Sequence, residues 1–543
     1  MAPFFHHRRL TALRGAAEKR AGHKFAAMLP YPRPQAGLNC LRPGPRPDAH
    51  CHRSGDGAVD RGAPHPVIGP MGRKAGRVVF GMSGVGGAMR RIILPLCLAL
   101  SACLPAPSGD MPSRAATDHD SAMPAMKSFG APSPLPPLRS NTDIERDFLA
   151  LSFQLESGRN LPYFSRFEEP IRVRVTGKPP PTLIPDLTRL LTRLRNEAGI
   201  NVSRVSSGPA NITIQAVTRS EIRRHLPKAA CFVVPNISDL SQYRAARRTR
   251  ATNWSLLTKR ETLAVFLPSD SSPQEVRDCL HEELAQALGP LNDLYRLPDS
   301  VFNDDNVHTV LTGFDMLILR IYYAPELRSG MTRSQVAARL PGILARLNPS
   351  GAARAARFDS STPRAWVRAI QTALGPGARP AERRQAANEA LGIARAVGWQ
   401  DHRLAFSHFA LGRLSQPTDP DYAHQHFQAA HRIYHRTPGT ELHRAYTASQ
   451  LAGHAIKQGR ADEALALIGS HLATAQRHEN AALLATLMML QAEALEQQGR
   501  LAKAQAVRLD SLGWARYGFG ADWAVRAKLR EIAMLGSANG ANR

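Results

Sequence analysis

Between residues 141 and 350 the pattern of apolar and polar positions changes period several times. "NTDIERDFLALSFQLE" opens with polar residues at Asn141 and sets Ile144, Phe148, Leu149 and Leu151 on one side, which predicts a helix. "IRVRV" (171–175) and "NITIQAV" (211–217) alternate with period two and read as strands, while "LIPDLTRLLTRLRNEAG" between them has helical spacing and stops at Gly199. "CFVVP" and "TLAVFLP" are apolar runs of strand length. Helical spacing returns in "RDCLHEELAQALGPLND" (277–293) and again over 307–323, where Asp304 and Asp305 read as helix caps and Pro325 as the break. "TRSQVAARLPGILARLN" gives one more helix, and the mixture predicts an α+β domain over residues 141–350.

Past Pro349 the strand signal ends. Residues 351–379 read as a linker containing a helix, with "GPGARP" as a hinge, and 380–535 as an all-α region. That region repeats itself. "QLAGHAIKQGRADEALAL" and "LMMLQAEALEQQGRLAKAQAV" each place a small residue (Ala452, Ala492) on a first helix, a Gly-Arg turn (Gly459-Arg460, Gly499-Arg500) and another small residue beyond it (Ala464, Ala504), with Ala423 in a weaker earlier copy. Such spacing suits stacked helical hairpins. The units resemble tetratricopeptide repeats loosely, since most of the large aromatic positions are missing. Residues 536–543 read as a disordered tail, and 104–140, rich in Pro, Ser and Ala without period, as a disordered tether.

Charge changes the picture at the N-terminus. Of the net +26, residues 1–103 carry +12. Residues 1–88 have no sustained period and cannot form a packed core, so they read as a non-native or disordered extension. Residues 89–103, "MRRIILPLCLALSAC", have the order of a secretory signal: two arginines, an apolar run too short to span a bilayer, and small residues before Cys103. Their last four residues resemble the lipobox of bacterial lipoproteins, which implies lipidation of Cys103 and attachment to a membrane facing the periplasm. Leu104 in the following place implies the outer membrane. Export removes chromosomal nucleic acid from the expected partners. Only Cys231 and Cys279 then remain in the folded part, and an oxidising compartment invites a disulfide between them, against the alternative of two free thiols.

The helix over 277–293 carries the candidate chemistry. A zinc peptidase needs His-Glu-x-x-His because positions i and i+4 share a helix face, with the Glu as general base. From His281 that pattern fails, since Ala285 stands at i+4. Shifted by one residue, "EELAQALGPLND" keeps the frame of the extended motif: Glu282 and Gln286 in the places of the two histidines, Glu283 as the base, Gly289 at the turn and Asp293 as third ligand. Two carboxylates and an amide oxygen form a hard-oxygen set, which favours Mg, Ca or Mn over zinc. The alternatives are a solvated helix face and a metal-free cleft. His281 reads as a surface or packing residue, and His308 as a weak candidate for a late ligand.

"CLHEELAQALGPLND", "SVFNDD" (300–305) and "LTGFDMLILRIYYAPELRSGM" (311–331) resemble the exported bacterial family called domain of unknown function 2927. The resemblance implies a zincin-like fold with a degenerate metal motif, and no defined reaction. The expected protein is therefore an envelope lipoprotein: an α+β zincin-like domain followed by an all-α, tetratricopeptide-like region that binds a protein or peptide partner. A metal-dependent hydrolase using Glu283 is the competing expectation.

Overall fold

The computed structural model describes residues 123–130, 134–357 and 361–537. The expected extension, signal, Cys103 and most of the tether lie outside these residues. The first domain contains helices α1 (Asn141–Phe153), α2 (Leu183–Ala198), α3 (Arg219–His225), α4 (Leu240–Ala246), α5 (Pro273–Leu288), α6 (Gly313–Tyr322), α7 (Arg333–Ala337) and α8 (Leu340–Leu347). Its strands are β1 (Ile171–Gly177), β2 (Val202–Arg204), β3 (Ile212–Val217), β4 (Phe232–Pro235) and β5 (Leu263–Pro268). They form one mixed sheet in the order β2-β1-β3-β5-β4, parallel except for β4, which pairs antiparallel with β5 at the edge.

β5 is buried along its whole length because both sheet faces are covered. Leu263, Val265 and Leu267 point into the main core with α1, α2, α5 and α6, whereas Ala264 and Phe266 face Ile222 of α3 and Leu240 of α4. α2 ends at Gly199, which adopts φ 67°, the left-handed conformation that suits glycine. Three expectations change. β2 was not visible in the sequence, the segment 333–347 forms two short helices, and the helix expected over 307–323 begins only at Gly313. Thr312 and Asp315 cap it reciprocally, so Asp304 and Asp305 do not.

The second domain is helical: α9 (Arg364–Leu374), α10 (Pro380–Ala396), α11 (His402–Ser415), α12 (Pro420–Arg436), α13 (Glu441–Lys457), α14 (Ala461–Gly469), α15 (His471–Arg477), α16 (Ala481–Gln497), α17 (Leu501–Phe519) and α18 (Asp522–Ser537). The two echoing stretches are the hairpins α13/α14 and α16/α17. Gly459 and Gly499 take φ 73° and 74° at their turns, and the amides of Arg460 and Arg500 return to the carbonyls of Ala455 and Leu495. Ala452, Ala464, Ala492 and Ala504 are buried where helices approach closely. α9 corrects the linker reading: Trp366 is fully buried and its indole donates to Ser407 of α11 at 2.9 Å, so this helix belongs to the helical core.

The tether reading is corrected as well. Among residues 123–130, the Lys127 amide donates to the Gly513 carbonyl at 3.0 Å, Arg516 donates to the Pro124 carbonyl at 2.8 Å, and Arg189 of α2 donates to the Phe129 carbonyl at 2.8 Å. Phe129 is buried and stacks on Trp514, 4.7 Å between centroids. This strap touches both domains, and all the described residues fall in one compact unit. Among them no helix is long and apolar enough to cross a membrane.

Candidate functional site

α5 is set at both ends by specific bonds. At its start Ser272 accepts the Glu275 amide and Pro273 supplies a fixed φ where no N–H is needed. At its end the guanidinium of Arg260, almost wholly buried, donates to the carbonyls of Gln286 at 2.6 Å, Ala287 at 2.8 Å and Gly289. These carbonyls have no partner further along the helix, so a cation there satisfies them and opposes the helix dipole. Burial lowers the Arg260 pKa, and the ring of Trp254 lies 5.4 Å from the guanidinium. At Gly289 a Cβ would stand 2.8 Å from the ring of Tyr322, so the turn is closed by packing.

The shifted motif residues do come together. The Gln286 amide nitrogen lies 3.4 Å from a Glu282 carboxylate oxygen and 3.5 Å from one of Asp293. Glu282, Glu283 and Gln286 are only 2, 4 and 6% exposed, which overturns the solvated-face reading. α5 packs against β4, β5 and α2 of its own domain, and α17 of the second domain also lies against it. Because the NH₂ end of Gln286 faces the two carboxylates, it binds them as a donor where an ion would require its oxygen.

The histidines are engaged elsewhere. His281 accepts the Leu311 amide on Nδ1 at 3.1 Å, and burial, followed by the charges of Arg193 and Arg277, keeps its pKa well below the ordinary value. His308 donates to the Pro298 carbonyl at 2.9 Å. The donor set therefore does not fit zinc, and among the described residues no three His, Cys, Asp or Glu side chains form a group that could hold a metal ion. Asp305 accepts from Asn303 at 2.7 Å, from the Val307 amide at 3.0 Å and from His443 Nε2 of α13 at 2.7 Å. Tyr295 is buried, and burial followed by the neighbouring Asp304 raises its pKa well above normal.

The second domain clamps the other half of α5. Arg277 pairs with Glu479 at 2.8 Å, also reaches the Glu479 carbonyl, and lies over the rings of Phe129 and Tyr517 at 5.2 and 5.1 Å. Gln274 donates to Asn480 at 3.2 Å and accepts the Ala482 amide at 2.9 Å. Cys231 and Cys279 are joined in a disulfide that ties the start of β4 to α5, with a Cα–Cα distance of 5.9 Å. Arg260, Arg277, Tyr295 and His443 carried no signal in the sequence, because each acts on a partner distant along the chain.

Fold and site define a mixed α/β domain whose helix α5 is packed against a helical domain. Residues 141–342 match the model of the family described as protein of unknown function (DUF2927), a match that covers the α/β domain and stops before α9. No curated protein matches the chain.

Proposed function

We propose that this chain is an exported envelope lipoprotein whose zincin-like domain keeps the frame of a metallopeptidase motif without its metal chemistry, and whose tetratricopeptide-like hairpins bind a protein or peptide. The observation that carries this reading is the burial of Glu282, Glu283 and Gln286, with the amide of Gln286 turned toward the carboxylates of Glu282 and Asp293. A working hydrolase needs its base and its bound water open to substrate. The Cys231–Cys279 disulfide supports an oxidising compartment. The signal-like stretch ending at Cys103 supports attachment by lipid, with the outer membrane as the expected site.

The competing reading, a metal-dependent hydrolase, draws on one observation: Glu282, Gln286 and Asp293 lie within reach of one another in the order the shifted motif requires. With the Gln286 amide reversed they would offer Mg, Ca or Mn three oxygen donors. Metal analysis of the purified chain beside its Glu282→Ala/Gln286→Ala variant separates the two. The scaffold reading expects no stoichiometric metal in either protein. Stoichiometric metal that disappears in the variant overturns it, and Glu283→Gln should then abolish a hydrolytic activity.

A further inference from the structure

Three histidine rings meet where the second domain closes over the loop between α5 and α6. His308 comes from that loop, His443 from α13 and His478 from the end of α15, with centroids 6.1 Å apart for His308–His443 and 5.2 Å for His308–His478. His443 pins the contact by donating to Asp305, and its Nδ1 is buried with no hydrogen-bond partner among the described residues. A fourth histidine, His402 of α11, donates to the Tyr295 carbonyl at 2.6 Å across the same boundary. We infer that His308 and His478 form a pH-operated latch: at neutral pH these two uncharged rings let the helical domain close over α5, and on acidification the domain lifts away as they become cationic.

The charges around His478 favour release, while carboxylates lie beside His308 and His402. His308 faces His443 and His478, with the carboxylates of Asp305 and Asp299 nearby, and Asp299 is itself engaged by Arg139. His478 faces His308, His443 and Arg477, so its charged neighbours are positive. His402 has Asp401, Arg403 and His443 about it, and Asp401 is paired with Arg403. His443 also packs against Tyr434. Two protonated rings placed as His308 and His478 are would repel one another in a medium that screens poorly. Burial, the largest cause in each case, lowers the pKa of His308, takes His402 to about 4 and takes His478 to about 3. A histidine whose pKa is depressed in the closed form binds its proton more readily in the open form. The closed form therefore keeps its full stability above the ordinary value of about 6.5 and loses it as pH falls from there toward the depressed values.

The latch rests on the geometry of the interface and not on whether α5 binds metal. Its test is small-angle scattering of the full chain between pH 7.5 and 4, beside far-ultraviolet circular dichroism. The expected result is a rise in the radius of gyration on acidification while helicity is retained. In His308→Gln/His478→Gln, which keeps amide donors but removes both titrating rings, the midpoint should fall by about half a pH unit or more. His478→Gln alone, the milder change, should shift it in the same direction. The latch is overturned by an unchanged midpoint in both variants, by no expansion down to pH 4, or by loss of helicity together with expansion.

Discussion

Arg260 shows how much one side chain can hold in place. Its buried guanidinium donates to three carbonyls at the end of α5. Arg260→Met should keep the volume and leave the carbonyls without donors, costing about 3 kcal/mol of stability in urea unfolding. A loss below ~1 kcal/mol would mean that water replaces the cation. In the sequence Arg260 stands in "TKRETLAVFLP", where a charge before an apolar strand reads as a boundary marker. Glu282, Gln286 and Asp293 were legible because the motif frame fixes their spacing along one short segment. Their burial was not, since it depends on how the helix packs in three dimensions and not on the spacing of the motif.

At the scale of elements, legibility follows the length of the repeat. α2, with apolar residues at helical spacing over four turns and a glycine stop, reads directly from sequence, and so do β1, β3 and β5. β2 has three residues, Val202, Ser203 and Arg204, too few to display alternation, and exists because β1 offers it an edge. α6 starts later than its apolar pattern because Thr312 and Asp315 form a capping box, while the residues before it are held by Asp305 and His281. The disulfide joins two elements that the hydrophobic pattern leaves unconnected. With a sequence separation of 48 residues between its cysteines, the double variant Cys231→Ser/Cys279→Ser should lower stability by about 4 kcal/mol. Thermal unfolding with and without reductant checks this, and the variant should be indifferent to the reductant.

For the whole molecule the decisive contact is Arg277 with Glu479, separated by 202 positions along the chain. Arg277→Leu leaves the largely buried Glu479 carboxylate without its cation and should cost about 3 kcal/mol. Calorimetry should then show two separated transitions where the intact protein unfolds in one. The helical hairpins α13/α14 and α16/α17 were read from their echo, but the closure of the two domains into one unit left no trace in the sequence. Nor did the strap: its composition is that of a linker, and its seat is made by Phe129, set between Trp514 and Arg277, together with the backbone bonds of Pro124 and Lys127. The strap's seat also shares a side chain with the clamp: Arg277 lies over Phe129 and pairs with Glu479. Whatever loosens that one guanidinium would therefore unbutton the strap and the domain seam in a single event.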